Sequence, residues 1–339
     1  MRGSARVTEP PETRDPSAAR RLAVLFPGQA SQHVGMATAL RSASPRVEQL
    51  FGLAESITGL PLGRLCAEGP LTDLTRTDVA QTAVVTASIA AAWYLEDMLG
   101  TPVPAAFAGG HSVGELTAMC WADAISVQDT LRLVHRRGEL MARDAANCDG
   151  TMAAVIGIEP SKLETVCQQA SVGTDGTVQV ANLNGPGQIV ISGDRVAVGR
   201  AAEAAVANGA RRVLPLNVGG PFHSRYMVAA ARDFSEMVES IEIRPPRVPV
   251  ILNTSAELAS SAGALRSELP LQITRPVRWH ESVDALVALG CDTFLEIGPG
   301  DVLCGLVRRI APKARVLAVG SPDAAERAAQ IIRACMTGD

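Results

Sequence analysis

Aromatic side chains are scarce in this 339-residue sequence, at 3%. The core must therefore be filled mainly by Ala, Val, Leu and Ile, which favours helices packed closely on a sheet. Charge is also sparse, 19% against 47% hydrophobic residues, and that excludes a largely disordered chain. A formal net charge of -4 supplies no basic surplus for a nucleic acid partner. The seven cysteines, Cys66, Cys120, Cys148, Cys167, Cys291, Cys304 and Cys335, form neither a C-x-x-C pair nor a disulfide framework, so they read as reduced, buried thiols. No apolar run is long enough for a membrane helix. Residues 1–20 are polar, with prolines and arginines and no apolar signal core, and are expected to form a disordered tail on a cytoplasmic protein. H-E-x-x-H, Walker A and complete G-x-G-x-x-G patterns are missing as well, which argues against metal hydrolysis, nucleotide hydrolysis and dinucleotide chemistry. No metal and no bound cofactor is expected.

What is present centres on Phe107 to Met119. Gly110, His111, Ser112, Val113 and Gly114 give G-x-S-x-G spacing, preceded by a short apolar run and followed by a helix-like one. Strand, sharp turn and helix in that order make a nucleophile elbow: the glycines relieve crowding in the turn, and the serine is lifted toward the helix N-terminus. There, backbone N–H groups can receive negative charge. With 30 glycines in the chain, the bare pattern is weak evidence, and a tight strand-helix junction without chemistry is its plain alternative. The flanking elements favour the catalytic reading.

The surrounding periodicity is that of an α/β protein. Leu22 to Phe26 reads as a buried strand, Gly35 to Leu53 as helix with a break at Pro45, Pro70 to Thr77 as a connection, and Val79 to Leu99 as a long Ala-rich helix. Val127 to Arg143 forms a further helix. From Asp149 the order becomes Met152–Ile158 strand, Ser161–Gln169 helix, Val178–Asn182 and Gln188–Ser192 strands, Arg195–Asn208 helix and Arg212–Leu216 strand. That βαββαβ order is the split arrangement of a ferredoxin-like module. Helix at Ser224–Val238, strand at Val250–Thr254, helix at Trp279–Leu289, strand at Thr293–Ile297, helix at Leu303–Ile310, strand at Arg315–Val319 and helix at Ala324–Cys335 then resume the first rhythm. The expected organisation is a three-layer α/β domain with a largely parallel sheet, made of residues 21–148 and 217–335, and an inserted ferredoxin-like subdomain at 149–216.

A serine hydroxyl needs a base within hydrogen-bond reach. Of the five histidines, His223 is the better choice, because it follows a strand, two glycines and Pro221 and precedes a helix, where α/β folds gather working residues. His111 adjoins Ser112 but points away from it and reads as framework, while His33, His135 and His280 carry less. No carboxylate is selected as the imidazole's orienter; Asp292 and Glu296 lie near a late strand, and a backbone carbonyl could serve instead. Arg136 and Arg137 lie about 100° apart on a helix, so only one can face a pocket and grip a carboxylate there.

These residues sit in motifs that resemble the malonyl-CoA:acyl carrier protein transacylases and the acyltransferase domains of polyketide synthases. The motifs are FPGQASQHVG from Phe26, the Leu71–Gln81 segment, GGHSVGE at the elbow, RRGELM from Arg136, NVGGPFHSRYM from Asn217, RPVRW from Arg275 and EIGPGDVL from Glu296. They span nearly the whole chain after residue 20. The resemblance implies a hydrolase-like large domain with a small ferredoxin-like one. It implies Ser112 as acyl-accepting nucleophile and His223 as base. Gln29 and Val113 supply the oxyanion-hole N–H groups, and Arg137 the grip on a malonyl carboxylate. The resemblance also implies that Gln81 lies at an active-site position and that Gln272 matches a position whose main-chain carbonyl holds the histidine. Phe222 corresponds to the bulky residue tied to malonyl choice, and Pro221, where alanine is common, could reshape the acyl pocket. Ala30 replaces a common glycine and Thr82 a common proline.

By the same resemblance malonyl-CoA is the donor and the phosphopantetheine thiol of an acyl carrier protein the acceptor, in polyketide or fatty acid biosynthesis, with the chain able to act as a monomer. Ethylmalonyl or another extender unit, an editing thioester hydrolase, and a noncatalytic carrier-binding scaffold are the alternatives.

Overall fold

The computed structural model describes residues 21–173 and 176–337; the tail expected at 1–20 lies outside them. The chain enters through β1 (Arg21–Phe26) and passes α1 (Thr38–Ala43), α2 (Pro45–Thr58), α3 (Leu62–Glu68) and α4 (Leu71–Leu74) to the long α5 (Thr77–Leu99). β2 (Phe107–Gly110), α6 (Gly114–Trp121) and α7 (Val127–Ala146) follow. Next come β3 (Gly150–Ile156), α8 (Pro160–Ala170), β4 (Val178–Gly185), β5 (Gln188–Asp194), α9 (Arg195–Ala207) and β6 (Arg212–Pro215). A 3-10 turn at Arg225–Met227 leads into α10 (Val228–Glu239), β7 (Val250–Ile251), β8 (Leu258–Ala259) and α11 (Ala262–Gln272). α12 (Trp279–Ala288), β9 (Cys291–Ile297), α13 (Val302–Ile310), β10 (Arg315–Val319) and α14 (Pro322–Thr337) complete the described chain.

Two sheets result. The larger runs β10-β9-β1-β2-β7-β8 and is parallel except for its last pair. β1 lies inside it, so both its faces are covered, and the period-2 alternation of a strand sorts its side chains. Leu22, Val24 and Phe26 join the core beneath α5 and α7, while Ala23 and Leu25 join Trp279, Phe294 and Val307 on the other face. That is the three-layer arrangement.

Small side chains make the middle of this stack possible. Every residue of α5 from Val79 to Ala92 is buried, so the helix is enclosed on all sides rather than amphipathic. Where α7 crosses it, a Cβ at Gly138 would sit only 3.0 Å from the Thr77 carbonyl oxygen, and the glycine allows that approach. The neighbouring Arg137 is thereby carried into the interior.

The second sheet is antiparallel, in the order β4-β5-β3-β6, with α8 and α9 packed on one face through Leu163, Val166, Ala197 and Ala201. Counted within the module, that order is 2-3-1-4, the ferredoxin-like topology.

Several elements differ from expectation. Pro70–Thr77 is not simply a connection, because α4 forms within it, and α3 precedes it. The strand expected at Val250–Thr254 pairs only over Val250–Ile251, after which Asn253 and Thr254 turn to side-chain partners. α11 has no apolar periodicity to announce it: its buried face is Leu265, Glu268, Leu269 and Gln272, half of it polar, and Pro270 stands inside it. No described helix is long and apolar enough to cross a membrane. The six cysteines with described side chains are free, five of them buried.

Candidate active site

β1 and β2 end side by side, with Phe26 paired to Gly110. Beyond these carboxyl ends the chain makes one tight turn whose two flanking positions only glycine permits. A Cβ at Gly110 would lie 2.0 Å from the Gly114 carbonyl, and one at Gly114 would lie 2.2 Å from the Phe26 carbonyl oxygen. Ser112, held between them, adopts a left-handed φ of 51°, the strained backbone of a nucleophile elbow.

The second half of the site arrives on the segment after β6. His223 also has a positive φ, 54°, and its Nε2 lies 2.7 Å from Ser112 Oγ. Its Nδ1 is 2.9 Å from the main-chain oxygen of Gln272, which as an acceptor fixes the N–H on Nδ1 and leaves Nε2 free to take a proton. Burial, and then the positive charge of Arg137, push the imidazole down to about 3, so it stands neutral at physiological pH. Neither late-strand acid serves it: Glu296 accepts from the N–H groups of Leu303 and Cys304 at the start of α13, and Asp292 bonds Thr293.

The two adjacent arginines separate as helical geometry requires. Arg136 is exposed and paired with Glu139, whereas Arg137 is 2% exposed. Arg137 Nη1 donates to Gln81 Oε1 at 2.5 Å, and Nη2 to Gln272 Oε1 at 2.8 Å and toward Ser112 Oγ at 3.4 Å. Burial lowers its pKa to about 10, which leaves it charged. Among the described residues no carboxylate contacts this guanidinium. A buried cation with only neutral partners is a receptive site for an anion.

Ser112, His223, Arg137, Gln29, Val113 and Phe222 all line one cavity of about 290 Å³, which Val190 of β5 and Leu306 and Arg309 of α13 line as well. Val113 precedes the first residue of α6, where N–H groups have no intrahelical acceptor. The Nε2 of His111 meets Asn184 Oδ1 at 2.9 Å, its ring packs edge-on against Trp279, and burial lowers its pKa. Phe222 is buried at the cavity wall, and the ring of Pro221 occupies the space beside Gly150 at the start of β3. Ala30 has a left-handed φ of 82°, and Thr82 is fully buried. His33, His135 and His280 lie on local partners: Ser31, Glu139 and Asp284.

Beneath the elbow is a buried polar cluster that the sequence reading did not single out. Glu115, fully buried, accepts from the Asn253 N–H at 2.8 Å and from Asn253 Nδ2 at 3.1 Å on Oε1, and from Gln272 Nε2 at 2.5 Å on Oε2. Asn253 in turn accepts from the Ser112 N–H at 2.7 Å and donates to the Gly110 carbonyl. Burial, and then the neighbouring Glu268 carboxylate, push the Glu115 pKa up, against the pull of these donors and of Arg137. The motif GGHSVGE contains Glu115, but its partners come from 138 and 157 residues away.

A serine on a strained elbow against a neutral imidazole, on this two-sheet frame, is the site of an acyltransferase. Residues 24–321 match the family of the acyl transferase domain. The chain belongs to the malonyl-CoA:acyl carrier protein transacylase family and is an acyltransferase. It is 40% identical over 313 residues to the malonyl CoA-acyl carrier protein transacylase of Bacillus subtilis, covering 92% of this chain and 98% of the relative. The Escherichia coli K12 protein of the same name is 37% identical over 309 residues, covering 91% and 99%. Among solved structures, the malonyl CoA-acyl carrier protein transacylase of Coxiella burnetii superposes with a TM-score of 0.88 at 34% identity, covering 93% of this chain and 98% of that one. A malonyl-transacylase solved in complex with its type II polyketide acyl carrier protein gives 0.87 at 37% identity, covering 92% and 99%.

Proposed function

We propose that this enzyme moves a malonyl group from coenzyme A to the phosphopantetheine thiol of an acyl carrier protein, in fatty acid or polyketide biosynthesis, through an ester on Ser112. The observation that carries the reading is the 2.7 Å approach of His223 Nε2 to Ser112 Oγ beside a buried arginine with no carboxylate partner among the described residues.

In the first half-reaction His223 Nε2 takes the Ser112 proton as Oγ attacks the thioester carbonyl carbon. The N–H groups of Gln29 and Val113 receive the developing oxyanion; losing one such donor typically costs about 3 kcal/mol. Collapse breaks the C–S bond, the imidazolium returns its proton to the departing thiol, and an acyl-serine remains. In the second half-reaction the carrier thiol gives its proton to His223 and attacks the ester; the C–O bond breaks and Ser112 recovers its proton. Arg137 holds the malonyl carboxylate throughout, steadied by Gln81 and Gln272, while His111 holds the elbow through Asn184. Phe222 bounds the acyl group, and Pro221 sets the loop that carries Phe222.

The same reading takes 21–148 and 217–335 as the catalytic domain and 149–216 as an inserted subdomain closing over its cavity. It needs no bound cofactor or metal and places the enzyme in the cytoplasm. Incubation with labelled malonyl-CoA followed by peptide mapping tests it: label on Ser112 that moves to holo-carrier protein is expected, and no label on Ser112 at saturating donor sinks it. Rapid loss of label without carrier protein would mark the chain as a hydrolase.

A further inference from the structure

We infer that Glu115 is a positioning residue for acidic acyl groups: through the side-chain amide of Gln272 it aims the Arg137 guanidinium into the acyl cavity. The inference rests on the proposed reading of Arg137 as the carboxylate's partner.

Hydrogen-bond polarity carries the argument. Both Glu115 oxygens are used as acceptors, Oε1 from Asn253 and Oε2 from Gln272, and a guanidinium only donates. Gln272 lies between Glu115 and Arg137, with Nε2 donating to Glu115 Oε2 at 2.5 Å and Oε1 accepting from Arg137 Nη2 at 2.8 Å. Only one orientation of the amide satisfies both neighbours. Glu115, acting with the Ser112 carbonyl oxygen on the same Nε2, therefore holds the NH₂ end of Gln272 away from Arg137, and the amide passes that choice across the site. The same Nε2 also reaches the Ser112 carbonyl oxygen at 2.9 Å, and the Gln272 main chain holds His223, so a single residue ties guanidinium, nucleophile strap and imidazole together.

A glutamine at position 115 keeps the shape and breaks this logic. Its oxygen would remain with the two Asn253 donors, which leaves its NH₂ facing Gln272 Nε2. Two donors then oppose each other, or the Gln272 amide turns over and presents donors to Arg137. Either outcome loosens the guanidinium from one of its two amide acceptors, leaving Gln81.

Because Glu115 also supports Ser112 through Asn253, a loss of activity by itself would not distinguish aiming from general support. The decisive measurement is kcat/KM for malonyl-CoA and acetyl-CoA, with acyl-carrier product read by intact mass, in the parent enzyme, Glu115→Gln, Arg137→Ala and the double variant. Glu115→Gln is expected to lower the malonyl-to-acetyl preference about tenfold or more, and to leave that preference unchanged when Arg137 is already Ala. Equal losses for both donors, or the same change of preference in the Arg137→Ala background, overturn the inference. Should Glu115→Gln fail to fold by thermal melting, Gln272→Met removes the bridging amide yet keeps the main-chain oxygen that holds His223. It must lower the preference likewise, and an unchanged preference overturns the inference. If Arg137→Ala itself costs both donors equally, the reading of Arg137 and this inference fall together. If Arg137→Ala costs malonyl selectively and Glu115→Gln does not, only this inference falls.

Discussion

Nδ1 of His223 rests 2.9 Å from the main-chain oxygen of Gln272, so a neutral carbonyl occupies the place where a triad would have a carboxylate. The consequence is electrostatic. A carboxylate would stabilise the imidazolium, whereas a carbonyl in a buried site beside Arg137 does so only weakly, and the histidine is kept neutral.

This sets a pH dependence. The His223 pKa falls from 6.5 to about 3 on folding, so between those values the unfolded chain binds the extra proton. The stability contributed by the neutral imidazole is complete above pH 6.5 and is lost progressively as pH falls toward 3. His111, lowered by burial, acts in the same sense. Melting temperatures measured from pH 7 to 4.5 should therefore fall more steeply for the parent than for His223→Gln, and parallel curves would remove the explanation. For catalysis, kcat/KM with malonyl-CoA should hold level from pH 7 down to about 5, because the base is already deprotonated.

Replacing Arg137 with Ala breaks no direct ion pair among the described residues but removes the positive charge near buried Glu115, so a thermal melt accompanies the activity measurement. If the bidentate contact supplies roughly 2 kcal/mol, malonyl-CoA should lose about thirtyfold in kcat/KM while acetyl-CoA loses much less. Competition between the two donors, read by the mass of the acyl carrier product, measures the ratio directly.

Ala30 occupies a left-handed conformation at φ 82°, and its side chain is exposed. That backbone costs a residue with a Cβ about 1–2 kcal/mol, while glycine at the same position raises unfolded-state entropy by about 0.4–1 kcal/mol. Ala30→Gly should raise the unfolding free energy by up to about 1.6 kcal/mol, read as a higher denaturation midpoint at unchanged m-value. A lower midpoint would show that the strain is relieved elsewhere.

Gly150 and Pro221 are interlocked: a Cβ on Gly150 would stand 2.2 Å from Pro221 Cγ. Gly150→Ala should destabilise by about 1–3 kcal/mol, the usual range for overpacking, and should displace the loop bearing Phe222 and His223. Adding Pro221→Ala to that variant should recover part of the loss, because it removes Cγ and Cδ but keeps the Cβ, 2.8 Å from the added methyl. Thermal melts of the two single variants and the double variant check the coupling, and additive effects would refute it.

Much of this architecture was legible before any coordinates. β1, α5, α7, the elbow and the βαββαβ module declare themselves because hydrophobic period, glycine spacing and proline punctuation act over a few residues. α11 stayed hidden because Glu268 and Gln272 occupy half of its buried face, where a periodicity reading looks for apolar side chains. Glu115 was visible as a letter in a motif and silent as a part of the site.

The sequence by itself determined that a serine would stand on a glycine-flanked turn and that one of two neighbouring arginines would face inward, since local sterics and the helical repeat require no distant partner. Only the tertiary structure decided that Gln272 would meet His223 with its main chain and both Arg137 and Glu115 with its side chain. Those contacts join segments up to 157 residues apart, and their donors and acceptors become matched only when packing excludes water and leaves each buried group no other partner.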